Sequence, residues 1–475
     1  MGGLSKKSYT IKNILKQRAD RTLVLDAGSL LFKNTAISDS QELITAAGIM
    51  EIYKDMAYDA VAVGPYDLAA GLVFLQETQI KGFPWLSANI VDEQNNPIFL
   101  PTKKVERAGL KIGLIGLSNR EIPTTSGIKV IDWEKALAEQ LVIIENTCDL
   151  IVVLTSLPDQ DNADLMRLFP QVHLLLTANR VHGNIMPRVV NNTLITQTNS
   201  QGKYLGVLDV DWQASRAWEK NVGQEMLMLQ DRLGVLGRQI LRAERMSNRS
   251  VASEAQLQAF RQERETLLQT IKDAKTKMAE AELQENVFNS FKSSFIALKT
   301  EVPDDPQVAE RVSNIKEQIN NSNKQMLKGI HTSTQENQNN ETKKLGGFAG
   351  SVRCSLCHVA QAEFWSSTGH AVAFQSLVQQ SQGFNLDCLP CHVTHGVKDI
   401  LKDAKKMVKL AGLPPEMRGV GCESCHGSGE NHASNPNLVN QEKRVGESVC
   451  LQCHTKERSP GFSFLSALPQ VSCPK

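Results

Sequence analysis

The sequence predicts a multidomain chain: an α/β layered N-terminal domain, an antiparallel helical hairpin, and a C-terminal module that is mainly α and loop. Three observations carry that reading. Through the first 212 residues short apolar runs alternate with helix-period segments. From 215 to 283 the composition shifts to Gln, Glu, Arg, Lys, Leu and Ala. Of the ten cysteines, Cys148 stands alone and the others lie between Cys354 and Cys473. At 475 residues the chain also exceeds what one hydrophobic core ordinarily organises.

In the first domain, expected over 1–212, "RTLVLDAG", "YDAVAVG", "LKIGLIGL", "CDLIVVLTS", "VHLLLTAN", "NTLITQT" and "YLGVLDVDW" read as strands. Runs apolar on both faces, with helical segments between them, fit a sheet covered by crossover helices. Cys148 begins one such run and reads as a small buried hydrophobe.

A helical brace is expected over 213–330. Met226, Leu229, Leu233, Leu236 and Ile240 recur at spacings of 3 and 4, as do Leu257, Phe260, Arg264, Leu267, Ile271, Ala274 and Met278. "MSNRSVAS" interrupts the pattern, and Ser253 to Gln256 fits a capping box for the second helix. The two stretches read as an antiparallel pair with one apolar seam; the alternative is that the seam is a surface for a partner or for self-association. One more helix is expected over 306–325. The Asn-rich stretch after it buries too little apolar surface to fold alone, which makes 331–350 a linker.

The last domain, 351–475, carries four copies of C-x-x-C-H: Cys354, Cys357 and His358; Cys388, Cys391 and His392; Cys422, Cys425 and His426; Cys450, Cys453 and His454. Their first cysteines are 34, 34 and 28 residues apart. A zinc array has no need of a histidine directly after every cysteine pair. Covalent haem attachment does: the thiols form thioethers to the porphyrin vinyl groups, and the adjacent imidazole reaches the iron as proximal ligand. Four covalently bound haem c groups are therefore expected. They would serve as the core of the module and lie close enough to pass electrons.

A second axial ligand makes an iron a relay; an open position lets it bind a small molecule. Six of the ten histidines are not proximal: His173, His182, His331, His370, His395 and His432. Within or beside the module, His370, His395 and His432 are the expected distal ligands, with an exposed or core histidine as the alternative at each. For the fourth haem His331, Met407, Met417, Cys473 or no ligand at all remain open.

Charge is balanced, with 52 Lys and Arg against 51 Asp and Glu, so nothing points to nucleic acid or an acidic membrane surface. No run of eighteen or more apolar residues suggests a transmembrane segment. The start "MGGLSKKSYTIKN" lacks the apolar core of a secretory signal.

On "CSLCHVAQAEFWSSTGHAVAFQSL", "CLPCHVTHG", "GVGCESCHGSGENH" and "CLQCHTKERSPGFSF", the last 125 residues or so resemble the tetrahaem cytochrome c family that accepts electrons from hydroxylamine oxidation. The resemblance implies distal ligands from the Trp365 to His370 segment and from His432. Two departures stand out: His395 where the family shows Gly, and Cys473 and Pro474 where many relatives end in His-Pro.

On "LVLDAGSLL", "YDAVAVGPYDLAAG", "FPWLSANIVD", "GLKIGLIGL" and "VHLLLTANRVHG", the first 212 residues resemble the 5'-nucleotidase branch of the calcineurin-like metallophosphoesterases. That family's metal-binding positions are altered here. Ser29 stands for the bridging carboxylate of "DAGD", Pro65 and Tyr66 for the Asn and His of "GNHE", Ser156 for the strand-end His, and Asn179 and Val181 for the "GHxH" pair. A divalent metal pair needs carboxylate and imidazole ligands, so the resemblance implies a catalytically dead scaffold in which Asp26, Asp67 and His182 are structural. In the family a first strand with an Asp-x-His motif precedes the element matching Gly2 and Gly3. Since c-type haem is attached outside the cytoplasm, the chain is expected in the periplasm or at the cell surface, with Met1 not its true beginning.

The leading expectation is an electron carrier with unidentified donor and acceptor proteins. A reductase of a small nitrogen or sulfur compound at an open haem is the second, and a self-assembling or docking haem wire the third.

Overall fold

A computed structural model describes residues 3–121, 127–214, 216–218, 251–281, 288–332, 347–394, 413–438, 445–456, 458–459 and 461–474, with scattered positions between 229 and 244. Side chains at 251–253, 274–281 and 329–332 are outside that description. The chain divides into two compact units, Met1–Thr35 with Tyr53–Asp305, and Ala36–Ile52 with Pro306–Lys475. Among the described residues no helix is long and apolar enough to cross a membrane.

The first unit opens with helix α1 (Leu4–Arg18). Strands β1 (Leu25–Asp26), β2 (Ala60–Ala62) and β3 (Trp85–Leu86) then form a parallel sheet, and β4 (Ile90–Val91) pairs with β7 (Lys129–Val130). Helix α2 (Ser40–Lys54) follows β1 in the chain, and α3 (Leu72–Ile80) follows β2. The main sheet has six strands in the order β10-β11-β9-β8-β6-β5. These are β5 (Thr102–Arg107), β6 (Leu110–Leu117), β8 (Leu150–Thr155), β9 (Leu174–Thr177), β10 (Ile185–Val190) and β11 (Thr193–Gln197). The four inner strands are parallel and the edges β5 and β10 antiparallel.

Helix α4 (Trp133–Ile144) makes the crossover from β6 to β8, and α5 (Asp159–Leu168) the one from β8 to β9. The start of α4 is fixed by Asp132, whose carboxylate accepts from the N–H groups of Glu134 and Lys135. Because strand side chains alternate faces, Ile151 and Val153 of β8 pack with Ile115, Leu137 and Leu165 on one side. Leu150, Val152 and Leu154 pack with Leu114, Leu86 and Trp212 on the other. Fully burying each such side chain contributes about 1.5–3 kcal/mol, and this double-faced burial is what the apolar runs encode.

All seven expected strands are present, at β1, β2, β6, β8, β9, β11 and β12 (Tyr204–Asp211). The structure adds six that the sequence reading lacked, β3, β4, β5, β7 and β10 and one much further along the chain. Strand β13 (Ser290–Ala297) pairs antiparallel with β12 from Tyr204↔Ala297 to Asp211↔Ser290. Its partner lies some eighty residues earlier, so local periodicity gave no warning; Phe291 then meets Trp218 edge-on at 5.9 Å.

Helix α6 (Val251–Ala281) covers the second of the two helical stretches. Its Leu257 and Leu267 pack with Leu236 and Ile240, backed by Leu229, Leu233 and Phe260. Arg232 pairs with Glu263 at 2.6 Å and Arg261 with Glu244 at 2.8 Å. Met226 lies outside the described residues.

In the second unit, helix α7 (Pro306–Thr332) runs past the expected end at 325 and into the expected linker. Two of its asparagines are used by tertiary contacts. Asn320 Oδ1 accepts from Phe384 N at 2.9 Å, and the buried Asn323 donates from Nδ2 to Gln41 Oε1 and Phe384 O, both at 2.9 Å. The brace expected over 213–330 is thus divided: α7 groups with the C-terminal module and with residues 36–52, not with 213–305. Gly48 permits the approach of α2 to α7, because a Cβ there would stand 2.3 Å from Ile315 Cδ1. The remainder is short helices and loops: α8 (Ser351–Ser355), α9 (Val359–Ser366), α10 (Ala373–Gln379), α11 (Leu389–His392), α12 (Cys422–His426), α13 (Glu430–Ser434), α14 (Glu447–Cys450) and α15 (Phe464–Val471). One apolar cluster is buried there, formed by Leu377, Leu386, Leu389, Val393, Leu413 and Met417.

Candidate haem centre

The second and third C-x-x-C-H copies lie on α11 and α12, which end at His392 and His426, and the first and last begin in α8 and α14 and run on as turns. In the first copy His358 N donates to Cys354 O at 3.0 Å, and in the last His454 N donates to Cys450 O at 2.9 Å. Residues i, i+3 and i+4 share a helix face, so one turn aims two thiols and an imidazole at the same ring system.

Imidazoles distant in sequence are brought together. The rings of His358 and His432 lie 6.2 Å apart between centres at 37°, and those of His370 and His454 lie 6.2 Å apart at 56°. With a metal–nitrogen distance of roughly 2.0–2.1 Å on each side, two imidazoles on opposite faces of one iron have centres about 6 Å apart. The donor set and its spacing therefore fit a haem iron at each pair.

The other ring nitrogen of several of these histidines is already engaged. His392 Nδ1 donates to Ala373 O at 2.7 Å and His432 Nδ1 to Leu438 O at 2.8 Å, while His454 Nδ1 meets Ser459 Oγ at 3.2 Å. A bonded Nδ1–H leaves Nε2 with its lone pair for a metal and fixes the ring orientation. Burial, with His454 beside it, holds His370 below the usual imidazole range, in the neutral form that ligates. Its segment is fixed by Val420 N donating to His370 O at 3.0 Å and Trp365 Nε1 donating to Val420 O at 2.9 Å. Phe462 stacks on the His454 ring at 4.5 Å.

The motifs also come near one another. Cys354 lies near Cys422, and Cys391 near Cys453. Cys425 lies within electrostatic range of Cys450 and of Cys473. Val352, Leu356, Val359, Val372 and Leu451 are exposed around these turns, an apolar lining of the kind a porphyrin covers.

Of the remaining candidates, Met417 is buried in the apolar cluster with Leu389 and Val393, beside the second motif. Cys473 is exposed near Cys422 and Cys425. His331 lies near the end of α7 and its side chain is outside the description; His395 and Met407 lie outside the described residues. Sequence reasoning missed the carbonyl partners of Nδ1 and the buried Glu423, none of which has a local sequence signal.

In the first unit a polar group gathers at the carboxyl ends of the strands. Asp67 is fully buried and accepts from four backbone N–H groups: Ser29 at 2.8 Å, Leu30 at 2.7 Å, Leu31 at 2.9 Å and Gly64 at 2.8 Å. Burial pushes its carboxyl up to about 6 against the pull of those donors. Gly28 turns the chain here at φ +94, and a Cβ on it would stand 2.5 Å from Ala62 O. The Arg180 guanidinium lies 3.7 Å over the Tyr66 ring and donates to the carbonyls of Ser29, Phe32 and Lys33. Asp26 faces Lys7 at 3.8 Å and accepts from Tyr53 Oη at 3.1 Å. Burial works against the Lys7 charge, yet Tyr58 and Asp26 hold it above the ordinary lysine range. His182 Nε2 pairs with Asp159 at 2.6 Å. Asn179 donates to the same carboxylate at 3.0 Å, and Ser156 Oγ accepts from Asn119 N at 3.1 Å.

Known proteins match the two regions separately. The family described as cytochrome c554 and c-prime matches residues 353–427, and a doubled CXXCH motif matches residues 415–459. Cytochrome c-554 of Nitrosomonas europaea is 36% identical over 99 residues, 18% of this chain and 40% of that protein. The 5'-nucleotidase of Mus musculus is 29% identical over 133 residues, 26% of this chain and 22% of that protein. Among solved structures, the sulfate thiohydrolase SoxB of Thermus thermophilus aligns at 15% identity and a TM-score of 0.46, over 66% of this chain and 46% of that one. The chain spans less than half the length of each of these proteins.

Proposed function

We propose that this chain, which joins a cytochrome c554-type C-terminal region to a 5'-nucleotidase-like N-terminal region, is an electron carrier with four haem c groups. The observation that supports this most is the pair of imidazole couples, His358 with His432 and His370 with His454, each at the 6.2 Å spacing of ligands on one iron. Bound haem supplies a reversible one-electron iron couple.

Cys354, Cys357, Cys388, Cys391, Cys422, Cys425, Cys450 and Cys453 hold the porphyrins as thioethers, and His358, His392, His426 and His454 are the proximal ligands. His432 serves the first haem and His370 the fourth. The second and third draw on His395, His331, Cys473, Met407 or Met417, or keep an open position. The nearness of Cys354 to Cys422, of Cys391 to Cys453 and of Cys425 to Cys450 would set the haems in the order first, third, fourth, second.

The N-terminal domain acts as scaffold without phosphoesterase chemistry. Asp67 has its oxygens on four backbone donors and Arg180 brings a fixed cation into the same group, and both features support this reading because they oppose a divalent metal pair there. An antiparallel pairing of α6 with the segment around 229–244 would brace it and offer a docking or self-association seam. The chain would work outside the cytoplasm, between a donor and an acceptor protein.

Stopped-flow mixing of the oxidised protein with a small reductant, then with a reduced-cytochrome scavenger such as ferricyanide, tests the carrier role. All four haems should reduce and reoxidise without any added substrate. A fraction that cycles only when a nitrogen or sulfur compound is supplied would overturn it.

A further inference from the structure

Glu423 lies inside the third attachment motif, yet takes no part in attachment. It is 5% exposed, and its carboxylate is fully engaged: Oε1 accepts from Ala349 N at 2.7 Å and Gly429 N at 2.6 Å, and Oε2 accepts from Gly350 N at 2.7 Å. Hydrogen bonds from N–H groups to an ionised carboxylate are roughly twice as strong as neutral ones. Burial concentrates that difference further.

The three donors belong to two segments that end on histidines. Ala349 and Gly350 lead into α8 and so to Cys354 and His358. Gly429 immediately precedes α13, which carries His432. Further contacts tie the same segments: Arg353 meets Glu430 at 3.1 Å, and Glu430 N donates to Gly347 O at 2.9 Å. Gly350 sits at φ +83, a backbone form that suits glycine, and a Cβ on Gly429 would stand 3.3 Å from Glu423 Oε1. At the far ends of the two segments the imidazoles of His358 and His432 come to 6.2 Å.

We infer that Glu423 is a positioning residue that sets the His358–His432 axial pair of the first haem from within the attachment motif of the third. The inference rests on the reading of those two histidines as ligands of one iron. A glutamine in its place keeps the size but turns one acceptor oxygen into an N–H2 donor facing a backbone N–H. The amide strands either Gly350 N, or Ala349 N and Gly429 N together, and so loosens the tie between the two segments that positions the imidazole pair. Loss of an imidazole donor also disfavours the oxidised iron, so the midpoint of that same haem would rise.

The full haem-loaded chain carrying Glu423→Gln tests this, compared with wild type, His432→Ala and a control at the exposed Glu363, Glu363→Gln. Electron paramagnetic resonance and a spectroscopic redox titration supply the readouts. The inference expects Glu423→Gln to retain all attached haems and to convert one low-spin signal to high-spin, the same one lost in His432→Ala. One midpoint should move upward and the others stay in place. It is overturned if Glu423→Gln lowers thermal stability while all signals and midpoints keep their wild-type values, or if it perturbs every haem equally. Should His432→Ala itself leave every haem low-spin, the ligand pairing fails first, and the positioning role falls with it.

Discussion

The guanidinium carbon of Arg180 stands 3.7 Å from the centre of the Tyr66 ring, and its N–H groups reach three backbone carbonyls between Ser29 and Lys33. A protein cation thus sits among the residues that follow β1, β2 and β9, where the resembled family binds divalent metal. Replacing it with the neutral, similarly long Met removes this donor from those carbonyls, at a cost of about 1–3 kcal/mol for the group. Arg180→Met should lower the melting temperature by several degrees, since about 1 kcal/mol shifts a domain of this size by roughly 2–4 °C. Calorimetry of the wild type with manganese or with a chelator should show no shift; a manganese-dependent rise, or phosphoesterase turnover, would show that the site is a metal site after all.

Asp67 holds four N–H groups at once. In Asp67→Asn the amide can offer only one acceptor oxygen, so at least one buried donor is stranded, a loss of about 2 kcal/mol or more. Denaturant midpoints at neutral pH measure it; a variant as stable as wild type would mean that the turn at Gly28 and Ser29 is held by something else.

His173 makes the first unit sensitive to acid. Its Nδ1 accepts from Ile151 N at 3.0 Å, and burial draws its titration down to about 4 from an ordinary 6.5. Because the folded value is depressed, this contribution is present above pH 6.5 and is lost as pH falls toward 4, up to roughly 3 kcal/mol in all. Asp67 works in the opposite sense, since its raised value favours the folded state below about pH 4 and the benefit disappears as pH rises through about 6. Total stability therefore mixes the two. The difference between wild type and His173→Asn isolates the histidine: the variant's deficit at pH 7.5 should shrink steadily by pH 4.5, and a constant deficit would refute the assignment.

Asn323 is buried and bonded to Gln41 and Phe384 within the second unit. Asn323→Ala leaves Gln41 Oε1 with one donor fewer and Phe384 O without this one, and should cost about 1–3 kcal/mol. Hydrogen exchange at Leu386 N, which shares Gln41 Oε1 at 3.0 Å, should speed up in the variant. Unchanged exchange there would place the anchor of α7 elsewhere.

Much of this architecture can be read locally. The apolar runs at 112–117 and 150–155 became inner strands because a sheet buried on both faces leaves a plain mark in composition. The four C-x-x-C-H copies are as plain, since tether and ligand come from five consecutive residues. What the sequence hid depends on distant partners: β13 on β12, the last turns of α7 on Gln41 and Phe384, and Glu423 on two glycines and an alanine. Asparagine runs read as linker until a buried acceptor explains them. Histidine placement was legible only in part: His370 and His432 stood out as candidates, but their nearness to His454 and His358 emerges from three-dimensional proximity.

The most direct test of the account is electron paramagnetic resonance of the fully oxidised protein, with haem quantified on the same sample. The account predicts four haems per chain, with at least the first and fourth giving low-spin signals from paired imidazoles. Fewer than four haems, or high-spin iron at more than two of them, would contradict it.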